Sequence, residues 1–544
     1  MARKSPKNRF ASLVGAAAMT LGGVLAMMPT ANAQATPEIQ WEPCPVHVDA
    51  PTAQCGRFAT PMDYSNPAGA KISIGVMKIP AANPAARRGA LYGNPGGPGG
   101  DAYTYFGTSQ AGFQWPQEIR DEWDLIAVQP RGLLHSTPLE CSFPESGDLS
   151  SAAKLQADML LNTGAATRQL CQGPIPGYAQ TLTTENNARD WEAARKALGY
   201  DTISIMGLSY GTYLGSAYAT LFPNTTDKVV LDSAMDPNAQ WQKLMSDQQA
   251  GYERVLNEYF DYVARNDERY QMGNTPLKAY QYWSNKIVAE TGTNPTVTPP
   301  PARVGDLPPG LAFVGQAGAD AMTATGKARV ESEGIVSRLL NPGANQVNSK
   351  LLSATRFMLP QAMNWDTLAR LTNGTLQTPL AGEPIPDPSK EVLEEFQAQQ
   401  IALVQLQGAQ LCNENVSPAN PLLIPAYVWS NFVTGDIFTA PNAMIGSGAY
   451  CNGAAPVTGK VALSAAGLKT RPMQINAIND PQTIYAGHGT IANAMNSQLV
   501  TVHGPGHGHV ALGNKVVDRM VVDYLRTGKV TSAHAPGYFE ALSY

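Results

Sequence analysis

The residues with the most direct chemical meaning are Gly207-Leu208-Ser209-Tyr210-Gly211, a G-x-S-x-G pentapeptide. A serine hydroxyl is a poor nucleophile near neutral pH and needs a base beside it. The pentapeptide presents one where a strand turns sharply into a helix, so small residues must flank it and the hydroxyl is lifted above the sheet edge. The surroundings supply that context, because Thr202 to Met206 reads as a strand and Tyr213 to Leu221 as a helix. Ser209 is therefore the expected nucleophile of a serine hydrolase.

The base is sought among seven histidines. His507, in Gly504-Pro505-Gly506-His507-Gly508-His509, follows the strand Gln498 to Val502 and precedes the last helical pattern, where such a base belongs. His509 and His503 are the alternatives. Three histidines this close also raise a metal site, but no carboxylate or thiolate stands beside them at ligand spacing, so no metal and no cofactor are expected. His47, His135, His488 and His534 have no supporting sequence context. The orienting acid is placed at Asp480, in Asn479-Asp480-Pro481-Gln482-Thr483, giving the chain order Ser, Asp, His, with Thr483 able to hold the carboxylate across the turn. Asp232, with Asp236 close behind, is the rival. Asn94-Pro95-Gly96-Gly97-Pro98-Gly99-Gly100 follows another strand and offers an oxyanion-hole amide, Gly97 first and Gly96 second, to act with the amide of Tyr210. Its other readings are a plain Gly/Pro turn or a phosphate loop, but it lacks the G-K-[ST] and G-x-G-x-x-G patterns of the latter.

These residues must be positioned by strands alternating with helices. Apolar runs at Ile72 to Ile79, Ala90 to Tyr92, Asp124 to Val128, Val229 to Leu231 and Met473 to Ile478 read as buried strands. Ala188, Trp191, Ala194 and Leu198 share a helix face, with Thr183-Thr184 as caps and Gly199 as the stop. Val517, Met520, Val521 and Tyr524 mark a last helix. The expectation is an α/β-hydrolase core, a mostly parallel sheet flanked by helices, built from residues 34–236 and 443–544. A helical cap insertion over 237–442 carries long helical patterns at Gln242 to Ala264 and Lys390 to Gln410, around a Pro- and Gly-rich stretch from Thr291 to Gly310.

With 544 residues, 43% hydrophobic and 15% charged, most of the chain should fold around a large core. A net charge of -5 gives no basic surplus for nucleic acid. Residues 1–33 read as a signal peptide: Arg3, Lys4, Lys7 and Arg9 precede an apolar run, and Ala31-Asn32-Ala33 offers cleavage after Ala33. A retained anchor is the alternative; Gly22-Gly23 and Pro29 argue against it, and no further run of spanning length follows. Six cysteines fit export. Pairing neighbours, Cys44 with Cys55, Cys141 with Cys171 and Cys412 with Cys451, is the simplest connectivity.

In these motifs the chain resembles the secreted tripeptidyl aminopeptidases of actinobacteria, relatives of proline iminopeptidases among α/β-hydrolase serine peptidases. The resemblance rests on Asn94 to Gly100, Pro130-Arg131-Gly132, Ser136-Thr137-Pro138, Thr183-Thr184 with Ala188-Arg189-Asp190, Gly207 to Gly215, Val230-Leu231-Asp232-Ser233, Asp480-Pro481-Gln482-Thr483 and Gly506-His507-Gly508. It implies Ser209, Asp480 and His507 as a triad, a cap that admits a free peptide N-terminus, and cleavage after the third residue. The implied partners are peptide or protein N-termini, and the implied location is outside the cytoplasm, secreted or held at the envelope. Gln129 departs from the acid often found before Pro-Arg-Gly, and Cys451-Asn452-Gly453 lacks the tryptophan often found after the cysteine. An exopeptidase needs a carboxylate for the substrate ammonium, and Glu414, beside Cys412, is the candidate; a solvated surface glutamate is the plainer reading. An envelope esterase or acyltransferase with the same triad is the alternative function, and a non-catalytic envelope protein the third.

Overall fold

A computed structural model describes residues 36–142, 162–171, 175–239, 242–376, 390–416 and 420–543, with a few positions between 154 and 158. The leader and its cleavage site lie outside the described residues. Ten strands form: β1 (Gln40–Glu42), β2 (Gln54–Pro61), β3 (Lys71–Ile79), β4 (Gly89–Asn94), β5 (Trp123–Val128), β6 (Ile203–Leu208), β7 (Thr226–Asp232), β8 (Met473–Asn479), β9 (Gln498–Pro505) and β10 (His534–Pro536). They join one sheet in the order β1-β2-β3-β5-β4-β6-β7-β8-β9-β10. The pairs β1–β2, β2–β3 and β3–β5 are antiparallel and the rest are parallel.

Residues β5 and β6 are buried at every position, which explains their unbroken apolar sequences. Successive side chains leave opposite faces, so Leu91, Leu125 and Met206 enter one core while Tyr92, Ile126 and Ile205 enter the other. Patterning does not mark β1, β2 or β10. The first and last have only three residues each, and β2 carries Gly56, Arg57 and Pro61 among its apolar positions.

Helix α1 (Ala102–Gly107) follows the glycine-rich loop, α2 (Thr184–Leu198) precedes β6, and α3 (Tyr210–Leu221) follows it. As the sequence predicts, Thr183 caps α2 by accepting the Asn186 N–H, and Gly199 ends it in a left-handed conformation. Buried Arg131 clamps α2 to the loop after β5 with two parallel bonds to Asp190, Nε to Oδ2 at 2.8 Å and Nη2 to Oδ1 at 2.7 Å.

Between β7 and β8 the chain is helical. It forms α4 (Gln242–Arg265), α5 (Pro276–Thr291), α6 (Gly315–Leu340), α7 (Lys350–Met358), α8 (Trp365–Asn373) and α9 (Lys390–Glu414), with shorter turns between and after them. Tyr259, Trp283, Leu352 and Trp365 centre a separate core there. Helix α9 returns to the sheet end: a Cβ on Gly99 would meet Leu403 O at 3.0 Å. Helix α10 (Lys515–Thr527) closes the sheet's other face. Cys44–Cys55, Cys141–Cys171 and Cys412–Cys451 form disulfides, the neighbour pairing. Among the described residues no helix is long and apolar enough to cross a membrane.

Candidate active site

Strands β4, β6, β7, β8 and β9 are parallel neighbours, so the segments after them leave at one sheet edge, where open α/β sheets bind ligands. Ser209 sits between β6 and α3 with φ 59° and ψ −123°, the positive-φ conformation that a sharp strand-to-helix turn imposes. The flanking glycines are explained by contact. A Cβ on Gly207 would meet Gly211 O at 2.2 Å, and one on Gly211 would meet Asn94 O at 2.4 Å. The serine amide donates to Asp232 O at 3.0 Å, tying the turn to β7.

Asp480 directly follows β8 and is fully buried. Its Oδ1 accepts the amides of Gln482 at 2.7 Å and Thr483 at 2.9 Å, and its Oδ2 accepts the Thr483 hydroxyl at 2.8 Å. Its two oxygens lie 3.1 and 3.0 Å from His507 Nδ1. Burial raises this carboxyl, but the His507 charge and the hydrogen bonds from His507, Gln482 and Thr483 together hold it below the ordinary range. His507 is fixed from its backbone, whose amide donates to Pro360 O at 2.8 Å.

The rival Asp232 contacts the histidine loop differently: its Oδ2 accepts the amides of His509 and Val510, each at 2.8 Å, and burial raises its carboxyl. It pins the loop that carries His507 rather than touching the imidazole. His509 is buried, and burial pushes its imidazole below the usual range, while exposed His503 pairs with His534 at 2.9 Å.

In the glycine-rich loop the Gly96 amide is spent on Asn94 Oδ1 at 2.9 Å, whereas the Gly97 amide meets no acceptor among the described residues. A Cβ on Gly96 would stand 2.8 Å from Ser209 Cβ, so the loop backbone lies directly against the serine. The Tyr210 amide opens α3 and has no acceptor within the helix. Gly97, Ser209, Tyr210 and His507 all line one cavity of about 1900 Å³, roofed by residues of α7 and α9.

A family described as "alpha/beta hydrolase fold" matches residues 91–315, and one described as "TAP-like protein" matches residues 439–535. The tripeptidyl aminopeptidase of Streptomyces coelicolor is 34% identical over 261 residues, covering 45% of this chain and 47% of that protein. The serine protease Hip1 of Mycobacterium tuberculosis is 27% identical over 539 residues, covering 95% and 94%. Carboxylesterase B of the same organism is 26% identical over 242 residues, covering 42% and 46%. The chain is an α/β hydrolase of the serine peptidase type, similar to tripeptidyl aminopeptidases and to Hip1. It matches about half the length of the Streptomyces relative.

Glu414 does not face the cavity that holds Ser209. It lies outside the residues that line the large cavity, and its carboxylate accepts the Thr184 amide and, at 3.0 Å, the Thr184 hydroxyl. It therefore caps the start of α2, and burial pushes its carboxyl up to about 7. Gln410 and the Tyr210 hydroxyl complete that buried network.

Among the described residues the acids that line the cavity are Asp101, just after the glycine-rich loop, and Glu395 on α9. Both meet His47: Asp101 Oδ2 is 3.2 Å from Nε2 and Glu395 Oε1 is 2.9 Å from Nδ1. Burial lowers the His47 imidazole, but the hydrogen bonds and charges of Asp101 and Glu395 raise it overall. His135 Nε2 reaches the same Glu395 oxygen at 2.8 Å. His47, His135 and Glu395 bring donor atoms within 4.8 Å of one another and are the described group with the donor types to hold a cation. Sequence reading passed over this cluster because its members come from distant segments and no local spacing links them. Gln129 is explained locally: it accepts the Ala102 amide at 2.9 Å and donates to Leu134 O at 3.0 Å, fixing the start of α1 beside the glycine-rich loop.

Proposed function

We propose that this chain is an exported serine exopeptidase that releases tripeptides from free N-termini. The observation that carries the reading is the double contact of Asp480 with His507 Nδ1, at 3.0 and 3.1 Å, in the cavity where Ser209 stands on its positive-φ turn. With Nδ1 engaged, Nε2 is the atom free to take the Ser209 proton as Oγ attacks the scissile carbonyl. The amides of Gly97 and Tyr210 then receive the oxyanion. His507 returns the proton to the leaving amine, an acyl-enzyme remains, and water releases the peptide. Asp101 and Glu395, on the glycine-loop side, replace Glu414 as the carboxylates offered to the substrate ammonium. The disulfides and the leader sequence support export.

An esterase reading uses the same triad, and the similarity to carboxylesterase B keeps it in play. The test compares a tripeptide anilide with a free amine, its N-acetylated form and a short-chain acyl ester, with Ser209→Ala as control. The proposal expects turnover of the free-amine anilide with intact tripeptide released. Glu395→Gln should raise KM for that substrate and narrow the discrimination against the acetylated one. Ester turnover without either anilide would replace the proposal by the esterase reading.

A further inference from the structure

Arg356, on α7, lines the same cavity as Ser209 and His507. Its guanidinium carbon stands 4.2 Å from the centre of the Tyr252 ring and 5.4 Å from that of Phe438. Aromatic faces therefore hold the cation in place. Arg356 is half-buried and open to the cavity, its Nη1 has no hydrogen-bond acceptor, and among the described residues no carboxylate pairs with it. The planar fork of donors of a guanidinium matches a carboxylate. The cavity thus holds a preformed cation for which the described residues supply no counter-ion.

Its position indicates which part of a substrate would supply that anion. Tyr252, beneath the guanidinium, accepts a hydrogen bond from Gln482 Nε2 at 2.7 Å, and the Gln482 amide donates to Asp480 Oδ1 at 2.7 Å. Pro360, in the turn after α7, accepts the His507 amide at 2.8 Å. Arg356 therefore belongs to the imidazole flank of the site, whereas Gly96 lies against Ser209 and Tyr210 on the oxyanion flank. In acyl transfer the imidazole protonates the leaving amine, so its flank meets the departing part of the substrate.

We propose that Arg356 forms a carboxylate subsite for the leaving portion of the peptide. The subsite takes an acidic side chain just after the scissile bond or the terminal carboxylate of a short remainder. The inference rests on the peptidase reading for its orientation but can be measured without turnover.

The experiment titrates the Ser209→Ala protein by calorimetry with four pentapeptides that share their first three residues. Their last two residues are Ala-Ala as free acid, Ala-Ala amide, Glu-Ala amide and Gln-Ala amide. A charged hydrogen bond to the guanidinium predicts about tenfold tighter binding of the free acid over its amide, of the Glu peptide over the Gln peptide, or of both. Whichever ratio is large identifies the source of the carboxylate. Adding Arg356→Gln should bring a large ratio to about one, and Arg356→Lys should keep part of it because the charge remains. Ratios of about one in the parent, ratios unmoved by Arg356→Gln in a protein of unchanged melting temperature, or no binding at all would overturn the proposal. Intact ratios with no anilide turnover would instead count against the peptidase reading alone.

Discussion

At the scale of single residues, the site depends on which hydrogen bonds are already spent. Gly96 and Gly97 are adjacent glycines in one loop, but Asn94 consumes the Gly96 amide and leaves the Gly97 amide open. The two acids divide in the same way, Asp480 meeting the imidazole and Asp232 the backbone of the loop behind it. Asp480→Asn should therefore keep the fold, since an amide oxygen can still accept from Gln482 and Thr483. Its NH₂ group would favour the wrong imidazole tautomer, and the expected loss in kcat on the free-amine anilide is about 10⁴-fold. A loss of less than about tenfold would show that another acid orients the base.

At the scale of elements, the join between α2 and α9 is ionisable. Glu414 caps α2 from the end of α9, and its carboxyl lies at about 7 in the folded protein against an ordinary 4.5. Between those values the folded state holds a proton that the unfolded chain has lost. Its stability contribution must therefore fall as pH rises from about 4.5 through 7. Glu414→Gln removes the ionisation and keeps an acceptor for the Thr184 amide. Its melting temperature relative to the parent should rise between about pH 5 and pH 8, and a gap independent of pH would show that the carboxyl titrates normally.

At the scale of the whole molecule, the helical layer between β7 and β8 has its own core yet must hold α7 and α9 over the sheet edge. Cys412–Cys451 binds the end of α9 to the segment that leads back toward β8, closing a separation of 39 residues. On loop entropy that cross-link is worth about 4 kcal/mol. Replacing both cysteines by serine should lower the denaturant midpoint accordingly. It should also impair the free-amine preference more than ester turnover, because Glu395 lies on the same helix. Equal loss of both activities would place the effect on the core instead.

What the sequence determined by itself was local. A strand, a glycine-flanked serine and a helix lie within twenty residues, and each is set by neighbours a few positions away, so Ser209, the caps of α2 and the strands around them were legible without coordinates. The chain order of acid and histidine pointed to Asp480 and His507 but left Asp232 open, because both acids lie where parallel strands end at one edge. Tertiary structure alone decided how the carboxylates and cations are shared. Glu414 faces a helix start 230 residues away, Glu395 meets His47 and His135 from segments 348 and 260 residues distant, and Arg356 rests on a ring of α4. The reason is physical: a charge is satisfied by whatever chain packing brings within a few ångströms, and no periodicity along the sequence records that distance.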